Sequence, residues 1–83
     1  MVLKTYALAA ADRGAMRELY QAEAALRRGR LADYSSELET AAARGDDDPH
    51  SLRFGAYATL QLGIAAERTM IDWCDWVVGK LRR

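Results

Sequence analysis

The sequence predicts an all-α fold: a short first helix, then two long antiparallel helices, packed as a helical bundle with a second chain. Three observations carry this. Ala, Leu, Glu and Arg dominate a chain that uses proline once, and all four are good helix formers. No stretch alternates apolar and polar residues as a half-buried strand would. Toward the C-terminus, Leu60, Ile64, Glu67, Ile71, Cys74, Val78 and Leu81 recur at alternating four- and three-residue steps. That spacing places all seven on one stripe of a helix.

Each element has its own signals. Val2, Leu3, Tyr6, Ala7 and Ala10 sit at helical spacing and predict the short first helix. Asp12 is placed to cap a second helix, with Gly14 loosening the junction. This second helix is expected over residues 13–44. Met16, Leu19, Tyr20 and Leu26 mark its first apolar stripe, and Leu31, Tyr34, Leu38 and Ala41 mark another. The five-residue step from Leu26 to Leu31 predicts a bend, or a change of packing partner, near Gly29. Gly45 is a natural C-terminal stop. Asp48 then reads as the cap, and Pro49 as the first residue, of a third helix over residues 49–81. Acids at its start and Lys80, Arg82 and Arg83 at its end complement the helix dipole.

The stripe of the third helix is wide. Ala56, Met70, Trp73 and Val77 extend it on one flank and Tyr57 on the other, so the apolar arc covers more than half the circumference. Packing against one neighbour needs only about 100°, so several neighbours are expected, some from a second copy. Leu60, Ile64, Glu67, Ile71, Cys74, Val78 and Leu81 are therefore the candidate dimer interface. Gly63 on this arc permits a close helix approach. Size points the same way. The 83 residues allow one domain, 1–83, and so short a chain buries only about 60–65% of its unfolded surface. Disulfides, metals or oligomerisation are the usual remedies. Cys74 is the only cysteine, lies on the apolar stripe and reads as a small buried hydrophobe. A homodimer is the expected remedy.

Charge excludes other classes. Twelve basic and twelve acidic side chains give a net charge of zero, without the basic excess that phosphate binding needs, so direct nucleic-acid binding is not expected. No apolar run approaches the ~20 residues of a membrane span. The N-terminus is broken early by Asp12 and Arg13 and does not read as a signal peptide. A cytoplasmic protein is expected.

The polar constellations are modest. Asp46, Asp47, Asp48 and His50 read as a solvated turn with a helix cap, because three consecutive carboxylates cannot converge on one ion and a zinc site needs several His or Cys. No metal or other cofactor is expected. Glu67 is the one charge within the stripe, and it must find a partner or reach water. Arg53 and Arg68 lie near the same face. It is either a specificity device at an oligomer interface or half of an ion pair within the fold. Catalysis would need a second acid, base or nucleophile, and no phosphate loop, nucleophile elbow or zinc-knuckle spacing occurs. The chain is not expected to be an enzyme. Trp73 lies at the edge of the arc. Trp76 lies nearly opposite its centre, beside Leu62 and Thr69. Both are candidate ligand or interface contacts, with packing under the first helix or a partner helix as the plainer reading.

The run "LRFGAYATLQLGIAAERTMIDWCDWVVGKL" resembles the last helix of PadR-like transcriptional regulators, through Gly63, Ile64, Ala65, Glu67, Arg68, Ile71, Asp72 and Trp73. "LKTYALAA" looks like the helix that opens the C-terminal domain of that family, and "GRLADYSSELETA" like its long middle helix. The acidic turn before Pro49 fits as well. The C-terminal domain of the virulence-activator alpha type is thus the family the chain resembles. The resemblance implies a domain that dimerises and, in some members, senses an aromatic or drug-like effector near the dimer interface. Trp73, at the motif's Trp position, is then the best candidate for interface or effector contact. Such regulators read DNA through a winged helix, which is not expected within these 83 residues. The alternative is a stand-alone helical protein that binds a planar aromatic ligand or a partner regulator.

Overall fold

The computed structural model describes residues 12–82. The short first helix expected around residues 2–10 lies outside them. The described residues form two α-helices and no strand, α1 (Arg13–Ala43) and α2 (Phe54–Leu81), joined by a ten-residue connection. They correspond to the second and third predicted helices. Their contacts run in opposite order along the two helices. Tyr20 meets Trp73, Arg27 meets Glu67, and Tyr34 lies against Gly63. The pair is therefore an antiparallel hairpin, 53 Å long and 19 × 15 Å across.

Both ends of α1 follow from local chemistry. Asp12 is extended, and its carboxylate accepts a 3.1 Å hydrogen bond from the Ala15 amide, satisfying one of the donors that a helix start leaves free. At the other end Gly45 adopts φ +86°. Its amide donates to the Ala42 carbonyl and the Asp46 amide donates to the Ala41 carbonyl, both at 3.0 Å. This double closure needs a left-handed residue, which glycine adopts without a Cβ penalty.

Helix α2 begins at Phe54, not at Pro49. The intervening residues form successive tight turns, with amides of Asp48, Ser51 and Phe54 donating to carbonyls three residues back. Asp48 does not cap the helix. Its carboxylate accepts from the His50 amide two residues on, at 2.9 Å, and the Ser51 hydroxyl accepts from Arg53 in the same way. A short acceptor side chain can serve a local turn as readily as a helix start, and here the turn wins. Residue Arg53 flanks the helix start without any side-chain cap.

The two helices meet along matching seams. On α2, Ile64, Glu67, Ile71, Cys74 and Val78 are buried and Leu60 and Leu81 partly so. On α1 the inward positions are Tyr20, Ala24, Arg27, Leu31, Tyr34, Leu38 and Ala41, again at four- and three-residue steps. A repeat of 3.5 residues on both partners is the pattern of a coiled coil. Helix α1 runs uninterrupted through Gly29, and Leu26 is half exposed. The five-residue step thus arises because Leu26 points away from the seam, whose true members there are Ala24 and Arg27. Toward the open end Tyr20, Ala24, Cys74, Val77 and Val78 form a buried cluster flanked by Met16 and Leu81. Burying each larger aliphatic side chain contributes about 1.5–3 kcal/mol.

Candidate functional site

The stripe assigned above to a dimer interface is covered by α1 of the same chain. Ile64, Glu67, Ile71, Cys74 and Val78 are each at most 7% exposed within the single hairpin. Periodicity identifies a face that is covered, and it does not distinguish a neighbour in the same chain from one in another. Any second chain must therefore approach from elsewhere unless the helices exchange.

Glu67 sits at the middle of this seam and is answered from α1. Arg27 directs its Nη1 to both carboxylate oxygens of Glu67, at 3.3 and 3.4 Å, and its Nε to Glu23 at 2.9 Å. The expected partners Arg53 and Arg68 are not used. Arg27 lies forty residues away in sequence and faces Glu67 only because the hairpin aligns the two seams. Burial opposes the Arg27 charge, but the Glu23 hydrogen bond and the charges of Glu67 and Glu23 outweigh it and hold the guanidinium above its ordinary value. A polar pair inside an apolar seam fixes register, since a slip would strand a buried carboxylate. Cys74 beside this cluster is wholly buried. Burial pushes its thiol pKa up, and the nearby Glu23 charge adds to that, so it is a poor nucleophile.

The opposite face of α2 has no cover within the described hairpin. Leu62 is 69% exposed, Trp76 60% and Trp73 42%. The Trp73 and Tyr20 rings meet edge to face, with centroids 5.2 Å apart and planes at 82°. Trp76 lies under the Lys80 ammonium, 5.7 Å from the ring centre. On the same face Thr59 and Thr69 turn their hydroxyls onto their own helix, donating to the Gly55 and Ala65 carbonyls at 3.0 Å. Arg68, Asp72 and Asp75 lie on the neighbouring flank, and Asp75 is bridged to Arg28 at 2.6 Å.

The turn end of the hairpin is more open. A cleft of about 670 Å³ lies there between the helices, walled by Tyr34, Tyr57, Leu60 and Gly63, with Arg44 and Arg53 at its polar side. Neither tryptophan lines it. Gly63 contributes to the opening, since a Cβ there would touch the Tyr34 ring at 3.4 Å. Asp46, expected in a solvated turn, is 5% exposed and held by Arg44 at 2.8 Å. Its amide is the one that closes α1, which draws the side chain inward. Nothing in the acidic run flags this beforehand. The neighbouring Asp47 and Asp48, and His50, are exposed. Among the described residues no group of three or more His, Cys, Asp or Glu side chains is placed to hold a metal ion, and no helix is long and apolar enough to cross a membrane.

The profile of the family described as virulence activator alpha C-term matches residues 1–82. Among curated proteins and among solved structures, none matches the chain significantly.

Proposed function

Because the chain belongs to the virulence activator alpha C-term family of regulatory C-terminal domains, we propose that it is the non-enzymatic pairing and effector-sensing domain of a PadR-like transcriptional regulator. The observation that carries this is the uncovered face of α2. Two tryptophans and a leucine lie along one side of a single helix, all exposed. A monomeric soluble protein rarely exposes so continuous an apolar strip, and such strips mark contact surfaces. In this reading two hairpins associate, and DNA reading falls to parts of the regulator outside these 83 residues. The zero net charge of the chain suits a module that pairs rather than one that binds phosphates. Sedimentation equilibrium across a wide concentration range tests it. A species of twice 9.2 kDa is expected, and a folded monomer at every concentration would overturn the reading.

The effector part rests on the turn-end cleft, where Tyr34 and Tyr57 offer ring surfaces and Arg53 a cation. A planar aromatic effector held there would change the splay of the two helices and, through it, the spacing of whatever each hairpin carries. Titration of aromatic acids into the protein, followed by calorimetry, is expected to give saturable binding that Tyr34→Ala weakens. Saturable binding lost on Trp73→Ala but kept on Tyr34→Ala would place the effector at the tryptophans instead.

A further inference from the structure

The turn-end cleft is lined by four charged side chains, Glu37, Arg44, Asp46 and Arg53, and they divide into two kinds. Asp46 is buried, and one of its carboxylate oxygens accepts from the Arg44 Nε at 3.2 Å and from a terminal Arg44 nitrogen at 2.8 Å. That pair closes on itself. Glu37 and Arg53 are exposed, and among the described residues neither has an ion-pair partner. They come from opposite walls. Stepping along both helices from the Arg27–Glu67 pair brings Glu37 of α1 level with Tyr57 of α2. Arg53 lies one turn nearer the connection, roughly 6 Å along the axis. The same cleft is walled by two rings. Tyr34 rests against Gly63, where a Cβ would meet its ring at 3.4 Å. Tyr57 lies beside the Phe54 ring, with centroids 6.3 Å apart, and its hydroxyl accepts from the Gln61 Nε2 at 3.2 Å. Both tyrosines are half-buried, so each is held by its neighbours and still offers surface to a ligand.

We propose that the cleft takes a zwitterionic aromatic ligand, of the class of a free aromatic α-amino acid. Its ring lies against Tyr34 and Tyr57, its ammonium meets Glu37 and its carboxylate meets Arg53. The proposal rests on the effector reading above and names the ligand class. Charge complementarity carries it. The two acids and two bases of the lining cancel, so a ligand with no net charge leaves the site balanced. A simple aromatic acid meets Arg53 but sets its carboxylate near Glu37 with nothing to offset the repulsion. A simple aromatic amine meets Glu37 and faces Arg53 in the same way. Discrimination arises as much from these like-charge encounters as from the matched pairs. The ring surfaces supply the apolar part of the binding. At about 670 Å³ the cleft is within the usual range of small-molecule sites. Neither tryptophan lines it, so this site is separate from the exposed face of α2.

Three probes with one ring and different charges test it on the full chain. L-phenylalanine carries both charges, 3-phenylpropionate only the carboxylate and phenethylamine only the ammonium. Calorimetric titration at low ionic strength, where exposed charges are least screened, is expected to show L-phenylalanine binding about fivefold more tightly than either of the others. Two exposed-site variants then separate the contributions. Glu37→Gln is expected to abolish the preference over 3-phenylpropionate and keep the preference over phenethylamine. Arg53→Gln is expected to do the reverse. Helix content by circular dichroism is expected to match the parent in both, since neither side chain is buried. A purely structural role for these residues would weaken all three probes alike and would not produce the crossed pattern. Equal binding of the three probes, or a preference that neither variant moves, overturns the zwitterion site while leaving an effector cleft standing. A parent chain that binds none of the three probes, nor the aromatic acids proposed above, overturns both.

Discussion

The inner and outer faces of α2 share one spacing and have opposite fates. The inner face carries Ile64, Ile71, Cys74 and Val78 around Glu67 and is covered by α1. The outer face carries Leu62, Trp73 and Trp76 among Gly, Ala and Thr, and stands in solvent within the hairpin. The inner seam contains a charge whose partner sits on the neighbouring helix of the same chain. The outer seam contains none until Lys80 at its end. A 3.5-residue repeat therefore says that a helix face wants a long neighbour, and the placement of charge helps to say which one. The Glu67–Arg27 pair commits the inner face to α1.

The comparison breaks most visibly if the two faces respond alike to truncation. Ile64→Ala is expected to destabilise the hairpin by about 2–5 kcal/mol, as lost burial and a residual cavity add. Leu62→Ala, two residues away on the opposite face, is expected to change the single hairpin by less than about 0.5 kcal/mol. Urea unfolding at low protein concentration checks both, and equal costs would dissolve the distinction between the faces. A middle-sized effect is expected at the polar pair. Glu67→Ala is expected to cost about 2 kcal/mol, below the full penalty of a broken buried pair, because Arg27 keeps Glu23 and is itself 21% exposed. The double change Arg27→Met with Glu67→Leu is expected to recover most of that loss in the same urea assay. Failure to recover would mean that the pair contributes more than the removal of a buried charge.

Smaller effects sharpen the picture. Gly29→Ala on the outer side of α1 is expected to stabilise by about 1 kcal/mol, since its added methyl meets nothing within 4 Å and alanine is the better helix former. A rise in melting temperature checks it. Cys74 sets the pH limit of the inner seam. Its thiol pKa is raised in the fold above the ordinary 9.0, so the folded and unfolded states bind protons equally at neutral pH. As pH climbs past 9.0 the unfolded thiol ionises first, and stability then falls by up to about 1.4 kcal/mol per pH unit until the folded thiol titrates too. Urea midpoints taken from pH 7 to 10 are expected to decline only above 9, and a Cys74→Ala chain is expected to lose that part of the decline.

How much of this was legible in the sequence depends on whether the deciding interaction is local. Both ends of α1 could be read directly, because Asp12 and Gly45 act within a few residues of where they stand. The start of α2 could not, since Asp48 has two local uses and the choice between them rests on the turns that follow. The inner seam of α2 stood out through its large aliphatic members. Its counterpart on α1 was obscured, because Leu26 draws the eye and the true members there are a small residue and an arginine. Arg27 as the answer to Glu67 was recoverable in principle, by laying the two repeats antiparallel and asking which base falls opposite the acid. The outer face was visible in Leu62, Thr69 and the two tryptophans, while Gly55, Thr59 and Ala66 complete a spacing that composition alone disguises. The buried Asp46 and the turn-end cleft depend on the closing geometry of the hairpin, and no local pattern announces them.

The central claim is that the outer face of α2 is covered when the protein is assembled. Trp73 and Trp76 are the only tryptophans in the chain, and both lie on that face, so acrylamide quenching of intrinsic fluorescence reports on it alone. At tens of micromolar the account predicts quenching several-fold weaker than at a concentration low enough to leave single hairpins, in which Trp73 is 42% and Trp76 60% exposed. Quenching that does not change with protein concentration would contradict it.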